Sequence, residues 1–316
     1  MLKNILLTIA AVLVVAAIVL SIASPYLLFH FLVDRPSRSQ KIPSFYVGTP
    51  HYKVSRAGLA KMEHMPNSDL YLQSRDGLKL HAYLYPAPDT ETPKKFVISV
   101  HGYRSYARPE GAPYVEFYHS LGYSMVMVDD RAHAPSEGDY VGFGVLDRLD
   151  VLDWAKYLVK TYGEDIDILI HGVSMGGATV AAVSGEAELP TQVRGIIADC
   201  AFSSASEVLT YQMAEAMHLP SKLLLPKIEK IVEKRAGYNF HDFSAIEQVK
   251  KATVPMLFVQ GGKDTMVPPY MVDDLFDACA SEKKRKLFVE EAGHAESIAF
   301  APEEYHQALQ ELFDIH

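Results

Sequence analysis

His171-Gly172-Val173-Ser174-Met175-Gly176-Gly177 is the stretch of sequence that decides the fold. It contains the pentapeptide G-x-S-x-G, between an apolar run at 166–170 that predicts a β-strand and a helix-compatible run at 178–183. A serine on a sharp strand-to-helix turn holds its hydroxyl clear of the backbone, and flanking glycines lack the Cβ atoms that would collide there. Ser174 is therefore a candidate nucleophile.

An acid and a histidine follow the serine, each after a strand-like run. The segment 254–264, VPMLFVQGGKD, is apolar up to its glycines and ends in Asp264, as when a buried parallel strand delivers a carboxylate to its C-terminal edge. The segment 286–294, KLFVEEAGH, ends in a histidine after a short strand and a small-residue turn. We predict that Asp264 is the acid and His294 the base. The order serine, aspartate, histidine is that of α/β-hydrolases.

A further apolar strand, residues 96–100, ends in His101-Gly102-Tyr103. With these motifs, the chain resembles serine hydrolases of the α/β-hydrolase fold from about Ser68 to the C-terminus. The resemblance carries over the triad and implies an oxyanion hole made by the backbone N–H groups of Tyr103 and Met175. Bacterial relatives that have an N-terminal membrane segment are described as cell-surface hydrolases, an esterase-, lipase- and peptidase-like group.

One loop departs from the pattern of this family. Residues 129–138 read DDRAHAPSEG, where the family usually has D-x-R-G-x-G-x-S-x-G, so that alanines stand at 132 and 134 in place of glycines. Alanine is disfavoured at positive φ. The loop 129–138 is therefore not expected to adopt the family's conformation without strain. The triad residues lie outside this loop and are unaffected.

Composition restricts the classes of protein to consider. A length of 316 residues with 49% hydrophobic content is enough for one catalytic domain with a sizeable core. A net charge of −9 argues against a nucleic-acid partner. Two cysteines, Cys200 and Cys279, are too few for a disulfide framework and lack metal-ligand spacing, so we interpret them as core thiols. We expect neither a cofactor nor a metal.

The N-terminus is strongly apolar. Residues 5–24 contain no charge, and apolar character continues to Val33. A bilayer core of about 30 Å needs about 20 helical residues. We predict an uncleaved, single-pass transmembrane helix within residues 1–33; a cleaved signal peptide and a buried soluble helix are the alternatives.

The charges that flank the apolar segment bear on which side of the membrane the catalytic domain lies. Lys3 precedes the apolar segment, and three cations, Arg35, Arg38 and Lys41, follow it. Counting these charges favours a cytoplasmic domain, whereas the resemblance to cell-surface hydrolases implies the extracytoplasmic face. We expect the extracytoplasmic face. The oligomeric state is not predictable from the sequence.

Residues 34–67 are predicted to be a linker and lead-in, and 68–316 the catalytic domain. The domain opens with an antiparallel hairpin over 70–85 and continues with alternating strands and helices, which indicates a mostly parallel sheet. Predicted helices cover 115–121, 145–161, 175–185, 270–280 and 302–313.

An insertion at about 203–245 is predicted to form a helical cap over the site. Apolar residues recur in it as Leu209, Met213 and Met217, at a spacing of four. Most such residues pack on the core, but some residues of a cap must face the active site that it covers. We predict that Met213 and Met217 contact substrate. These apolar side chains favour an apolar acyl group.

The sequence therefore predicts a membrane-tethered serine hydrolase that cleaves carboxylic esters or related acyl bonds through an acyl-enzyme. A serine peptidase acting on short peptides is the main alternative, because the same triad serves both reactions. A catalytically dead, membrane-bound scaffold is a second alternative. His171, next to the elbow, is interpreted as a buried structural histidine.

Overall fold

The computed structural model describes residues 2–36, 46–88, 91–133, 135–241 and 244–316, and before Ser21 it describes only a few side chains. Eight strands form one sheet in the order β1-β2-β4-β3-β5-β6-β7-β8. The strands are β1 (Ser68–Gln73), β2 (Lys79–Tyr85), β3 (Lys95–Val100), β4 (Ser124–Asp129), β5 (Asp167–Val173), β6 (Val193–Asp199), β7 (Met256–Gly261) and β8 (Lys284–Val289).

Two hairpin-like pairings at one edge are antiparallel, and the rest of the sheet is parallel. Strand β1 pairs antiparallel with β2, which forms the predicted hairpin, and β2 also pairs antiparallel with β4. From β4 to β8 all pairings are parallel. Strands β4 and β7 are buried along their whole length, because helices cover both faces of the sheet. The carboxyl ends of the parallel strands therefore meet at one edge, where a site can form.

The helices fill the connections and both faces. They are α1 (Leu2–Leu32), α2 (Pro50–Met62), α3 (Ala107–Gly111), α4 (Val115–Ser120), α5 (Asp147–Tyr162), α6 (Met175–Val183), α7 (Ala205–Glu215), α8 (Ser221–Ala236), α9 (Ala245–Val249), α10 (Tyr270–Ala278), α11 (Ser297–Phe300) and α12 (Pro302–Phe313). The five helices predicted from periodicity are present, with ends that differ by zero to two residues. Helix α8 stops at Gly237, whose φ of 74° is the left-handed conformation that glycine accepts at a helix end.

The N-terminal segment differs from the prediction. In the part of the chain that the structure describes, no helix is both long and apolar enough to cross a membrane, so the predicted transmembrane span is not supported. The last turn of α1 instead packs on the domain, with Phe29, Leu32 and Val33 buried in the main hydrophobic cluster. Beyond it, Asp34 forms a β-bridge with Tyr140. Residues 1–33 are therefore partly integrated into the domain.

The predicted linker is also integrated where it is described. Residues 37–45 lie outside the described residues. Helix α2 begins at the N-cap Thr49, whose side chain accepts a hydrogen bond from the Tyr52 N–H. A Cβ at Gly58 would lie 2.2 Å from the Ala112 carbonyl, so α2 touches the α3 region backbone to backbone. The sequence analysis assigned these residues to the linker and lead-in and did not predict this helix.

Candidate active site

Ser174 stands between β5 and α6 in a conformation that side chains seldom adopt, with φ of 59° and ψ of −118°. Its backbone N–H donates to the Asp199 carbonyl at 2.8 Å, which fixes the turn to the end of β6. A Cβ at Gly172 would lie 2.1 Å from the Gly176 carbonyl, and one at Gly176 would lie 2.2 Å from the Val100 carbonyl. Only glycine fits at both positions, as the sequence predicts.

The three predicted triad residues lie together. His294 Nε2 is 2.8 Å from Ser174 Oγ, and His294 Nδ1 is 2.7 Å from Asp264 Oδ2. Neutral His294 thus donates its Nδ1 proton to the carboxylate and presents Nε2 to the serine hydroxyl. This arrangement is suited to proton abstraction from the hydroxyl as it attacks.

The loop after β7 holds Asp264. Its Oδ1 accepts hydrogen bonds from the backbone N–H groups of Met266 and Val267, each at 2.8 Å, and the buried Gln260 amide donates to Oδ2 at 3.3 Å. These donors keep the carboxylate oriented toward the imidazole. A Cβ at Gly261 would lie 2.5 Å from the Ala292 carbonyl, so the loop that carries Asp264 lies directly against the loop that carries His294.

The groups around His294 raise its pKa above the value of an isolated histidine. Burial lowers the pKa of His294, but the charge and hydrogen bond of Asp264 outweigh it, and the pKa is raised above 6.5. Glu110 and Asp199 add to this effect. The neutral base form therefore becomes dominant at a higher pH than in an isolated histidine.

The loop after β3 lies beside the nucleophile. A Cβ at Gly102 would be 3.2 Å from the Ser174 Cβ. Tyr103 follows this glycine, and Met175 is the first residue of α6, where the helix dipole is positive. Both backbone amides remain our prediction for the oxyanion hole. The Tyr103 side chain points to the N-terminal segment, since its hydroxyl donates to the Leu32 carbonyl at 2.7 Å.

A buried ion pair that the sequence did not reveal supports the loop carrying the catalytic histidine. His51 Nδ1–H donates to the carbonyl of Ala295, the residue after His294, at 3.0 Å. Its Nε2 lies 3.1 Å from Glu110 Oε1, an ion-pair contact without good hydrogen-bond alignment. Both side chains are 1% exposed. Burial lowers the pKa of His51, but Glu110 and the carbonyl raise it by more, so the imidazolium is favoured.

His171 is the structural residue that the sequence predicts. Its two ring nitrogens lie 3.0 Å from the hydroxyls of Tyr118 and Tyr305, and burial lowers its pKa to about 3. The Tyr305 hydroxyl also donates to the Asp199 carboxylate at 2.9 Å, and burial raises the pKa of that carboxyl group to about 7. This cluster lies under the elbow and holds the end of β6 in place.

Cys200 lies next to the triad, closer than the sequence indicates. Ligand atoms of Cys200, Asp264 and His294 all lie within 4.8 Å of one another, which is close enough for a metal ion. A metal would have to replace the proton that His294 shares with Asp264. Burial also raises the pKa of the Cys200 thiol, which makes it a poor ligand near neutrality. The chemistry of these three donors therefore favours the triad over a metal site.

The two methionines that we predicted to contact substrate are well packed. Met213 is fully buried in the main hydrophobic cluster, and Met217 is half-buried against it. Gln212, on the same helix, donates to the Met266 carbonyl beside the acid loop. Helix α7 thus touches the loop of Asp264. Contact of either methionine with substrate remains a prediction.

The loop with the two alanines keeps a strained backbone. Ala132 has φ of 61°, and its N–H donates to the Glu137 carbonyl at 2.9 Å. A Cβ at Gly138 would lie 3.0 Å from the Ala132 nitrogen. The loop therefore retains a left-handed residue at 132 although a glycine is absent there. Ala134 lies outside the described residues.

Comparisons with known proteins agree with this architecture. The esterase Pf2001 of Pyrococcus furiosus superposes with a TM-score of 0.65 at 23% identity, over 80% of this chain and 92% of that one. An alpha-beta hydrolase from Vibrio vulnificus gives a TM-score of 0.62 at 19% identity, over 86% and 88%. The protein YqkD of Bacillus subtilis is 28% identical over 256 residues, 80% of this chain and 81% of its own length.

The strand order and these likenesses define the fold of the chain as that of the α/β-hydrolases. Residues 143–312 match the prolyl oligopeptidase family, Peptidase_S9. This match covers more than half of the chain, and the protein belongs to that family.

Proposed function

We propose that this hydrolase cleaves carboxylic esters through an acyl-enzyme at Ser174. His294 takes the proton of the serine hydroxyl during attack on the carbonyl and returns it to the leaving alcohol; water then releases the acid by the same route in reverse. Asp264 orients the imidazole and stabilises its cation. The observation that carries the proposal is the bridge formed by His294, 2.8 Å from Ser174 Oγ and 2.7 Å from Asp264 Oδ2.

An ester with an apolar acyl group is the substrate class that we favour. The cap helices contribute apolar side chains, and a solved neighbour is an esterase. Burial of each additional methylene of substrate is worth up to about 0.8 kcal/mol. Turnover should therefore increase from acetyl toward medium-chain esters and then level off.

A serine peptidase acting on short peptides is the second candidate, and the family itself favours it, because its description is that of prolyl oligopeptidases. The triad serves ester and amide hydrolysis alike. The choice depends on pocket groups outside the triad.

Parallel assays separate the two candidates. Purified protein is tested on p-nitrophenyl esters of graded chain length and on aminoacyl p-nitroanilides, with Ser174→Ala as the matched control. We expect ester turnover, little anilide turnover, and a loss in kcat on the order of 10³-fold or more in Ser174→Ala, together with the loss of fluorophosphonate labelling. Anilides cleaved faster than every ester would overturn the ester proposal, and full labelling of Ser174→Ala would overturn the nucleophile.

We also propose that the N-terminal segment attaches the enzyme to a membrane, with the domain on the extracytoplasmic face. The uncharged sequence of residues 5–24 supports attachment. Fractionation of cells that express the full chain, followed by protease treatment of intact cells, tests both parts. Recovery in the soluble fraction would contradict the attachment, and protection from protease in intact cells would contradict the orientation.

A further inference from the structure

A groove of about 620 Å³ lies between α1 and the cap helix α8. Its lining divides into two chemical types. From α1 come mainly apolar side chains, and from α8 come mainly cations. Ile22 and Tyr26 line the groove on the α1 side, and Lys227, Lys230, Lys234 and Arg235 line it on the α8 side.

Three of the four cations are available to a ligand. Lys227, Lys230 and Lys234 are exposed, and their spacing of three and four residues places them along one face of α8. Among the residues that the structure describes, no carboxylate lies within ion-pairing distance of these three ammonium groups.

The fourth cation, Arg235, contacts α1 and links it to α8. Its guanidinium lies 5.9 Å from the ring centre of Tyr26 and 5.5 Å from that of Phe29. Its Nη1 is 3.4 Å from His30 Nε2. Arg235 therefore contributes to the α1–α8 contact that forms the groove.

The charge of the groove contrasts with that of the whole molecule. The chain carries a net charge of −9, yet α8 presents five basic residues and two acidic ones. An acidic protein repels anions over most of its surface, so a local cluster of exposed lysines directs anionic ligands to this groove.

Apolar side chains are also exposed along α1 on the N-terminal side of the groove. Large apolar side chains are exposed at Ile5, Leu6, Ile9, Val19 and Ile22. A free anion such as phosphate would use the lysines and leave this apolar surface in water. A ligand with both an anionic group and acyl chains would use both parts.

We propose that the groove and the exposed side of α1 form an interfacial surface that binds anionic phospholipid headgroups of a bilayer. The lysines of α8 face the phosphates, and the exposed residues Ile5, Leu6, Ile9 and Val19 of α1 enter the acyl layer. This proposal rests on the proposed membrane attachment of the N-terminal segment. It is independent of the hydrolase reaction, since none of these residues belongs to the triad or its supporting loops.

Vesicle flotation with the full-length protein tests the proposal. Wild-type protein is compared with Lys227→Gln/Lys230→Gln/Lys234→Gln on phosphatidylcholine vesicles and on vesicles with one-third phosphatidylglycerol. Each lysine near an anionic surface contributes about a factor of five in partitioning, so we expect the triple variant to lose on the order of 100-fold of its binding to anionic vesicles. Its binding to neutral vesicles should stay as in the wild type, and wild-type binding to anionic vesicles should weaken with salt.

A matched control removes the same charge elsewhere. Lys53→Gln/Lys160→Gln/Lys251→Gln neutralises three exposed lysines on or beside α2, α5 and α9, and should leave binding to anionic vesicles within a few-fold of the wild type. Thermal unfolding verifies that each variant is folded. If the triple groove variant does not fold, single substitutions at Lys227, Lys230 and Lys234 should each lose several-fold.

Three results would overturn the proposal. The groove variants could keep the wild-type preference for anionic vesicles, or the control could lose as much as the groove variant. Inorganic phosphate could also abolish vesicle binding at an ionic strength where chloride does not, which would assign the lysines to a free anion.

Discussion

At the scale of single residues, His294 is where pH controls the proposed reaction. Only the neutral imidazole can accept the proton of Ser174, and Asp264 raises the pKa of His294 above 6.5 despite the opposing effect of burial. The kcat/KM for an ester should therefore rise with pH with a midpoint above 6.5. A pH profile measured under conditions where chemistry limits the rate gives this midpoint.

The control for the pH profile is Asp264→Asn. This variant should be severely impaired, and its remaining activity should have a lower midpoint because the charge that raises the pKa is gone. A wild-type midpoint at or below 6.5, or an Asp264→Asn midpoint equal to it, would contradict the assignment of the profile to the His294–Asp264 pair.

The second residue-scale prediction concerns the buried pair of His51 and Glu110. Removal of one partner leaves a buried, uncompensated polar group, so His51→Gln and Glu110→Gln should each reduce the free energy of unfolding by about 3 kcal/mol. The double variant should lose less unfolding free energy than the sum of the losses in the two single variants. Urea unfolding of the four proteins measures the cycle, and strictly additive losses would show that the pair is not coupled.

The stabilisation by the His51–Glu110 pair should depend on pH, with an upper limit set by His51 and a lower limit set by Glu110. The folded pKa of His51 is raised, so its contribution is present at low pH and is lost as the pH rises through the folded value. The pKa of Glu110 is lowered: burial would raise it, but His51 outweighs the burial, so its contribution is lost as the pH falls through the folded value. The stabilisation should be largest between these limits and absent from the double variant.

At the scale of elements, the loop after β4 provides a stability prediction. Ala132 pays the left-handed penalty at φ of 61°, whereas glycine would not. Ala132→Gly should therefore raise the free energy of unfolding by about 0.5 to 1 kcal/mol, which thermal or urea unfolding can measure.

The matched control is the same substitution in a right-handed setting. Ala57 is exposed inside α2, so Ala57→Gly should destabilise by about 1 kcal/mol. Destabilisation by Ala132→Gly as well would mean that the loop relaxes away from the left-handed conformation or that the Ala132 methyl group makes a contact worth more than the strain.

Elements of the sheet were predictable because their signals are local. Strong apolar runs ending in Gly102, Asp264 and His294 predicted the strand ends at which the site residues lie. The supporting side chains were not predictable, since His51 and Glu110 are far apart in sequence and neither lies in a periodic pattern. The position of Cys200 beside the triad likewise depends on the pairing of β6 with β7 rather than on local sequence.

At the scale of the whole molecule, the N-terminus gave the least reliable prediction. Its composition is typical of a membrane segment, but composition does not reveal that Phe29, Leu32 and Val33 pack into the domain core. Apolar residues are used in a bilayer and in a protein core alike. Which use applies to each turn of a helix depends on tertiary contacts that no window of sequence contains.

Truncation separates the two halves of α1. Removal of residues 1–20 leaves the buried turn intact, and ester turnover and thermal stability should be retained. Removal of 1–33 deletes three buried apolar side chains, each worth about 1.5 to 3 kcal/mol, and the acceptor of the Tyr103 hydroxyl. That loss is comparable to the total stability of a domain, about 5 to 15 kcal/mol, so this variant should unfold at a much lower temperature. Equal unfolding temperatures for the two truncations would show that the buried turn contributes nothing.

The hydrogen bond from Tyr103 to the Leu32 carbonyl joins the two surfaces for which we propose different ligands. Tyr103 belongs to the loop beside Ser174, and Leu32 ends the helix that forms one wall of the lysine groove. Any ligand that shifts this helix also changes the free energy of the loop, and the coupling between two sites is reciprocal. To the extent that bilayer contact alters the affinity for a transition-state analogue, the bound analogue must alter the affinity for the bilayer by the same factor.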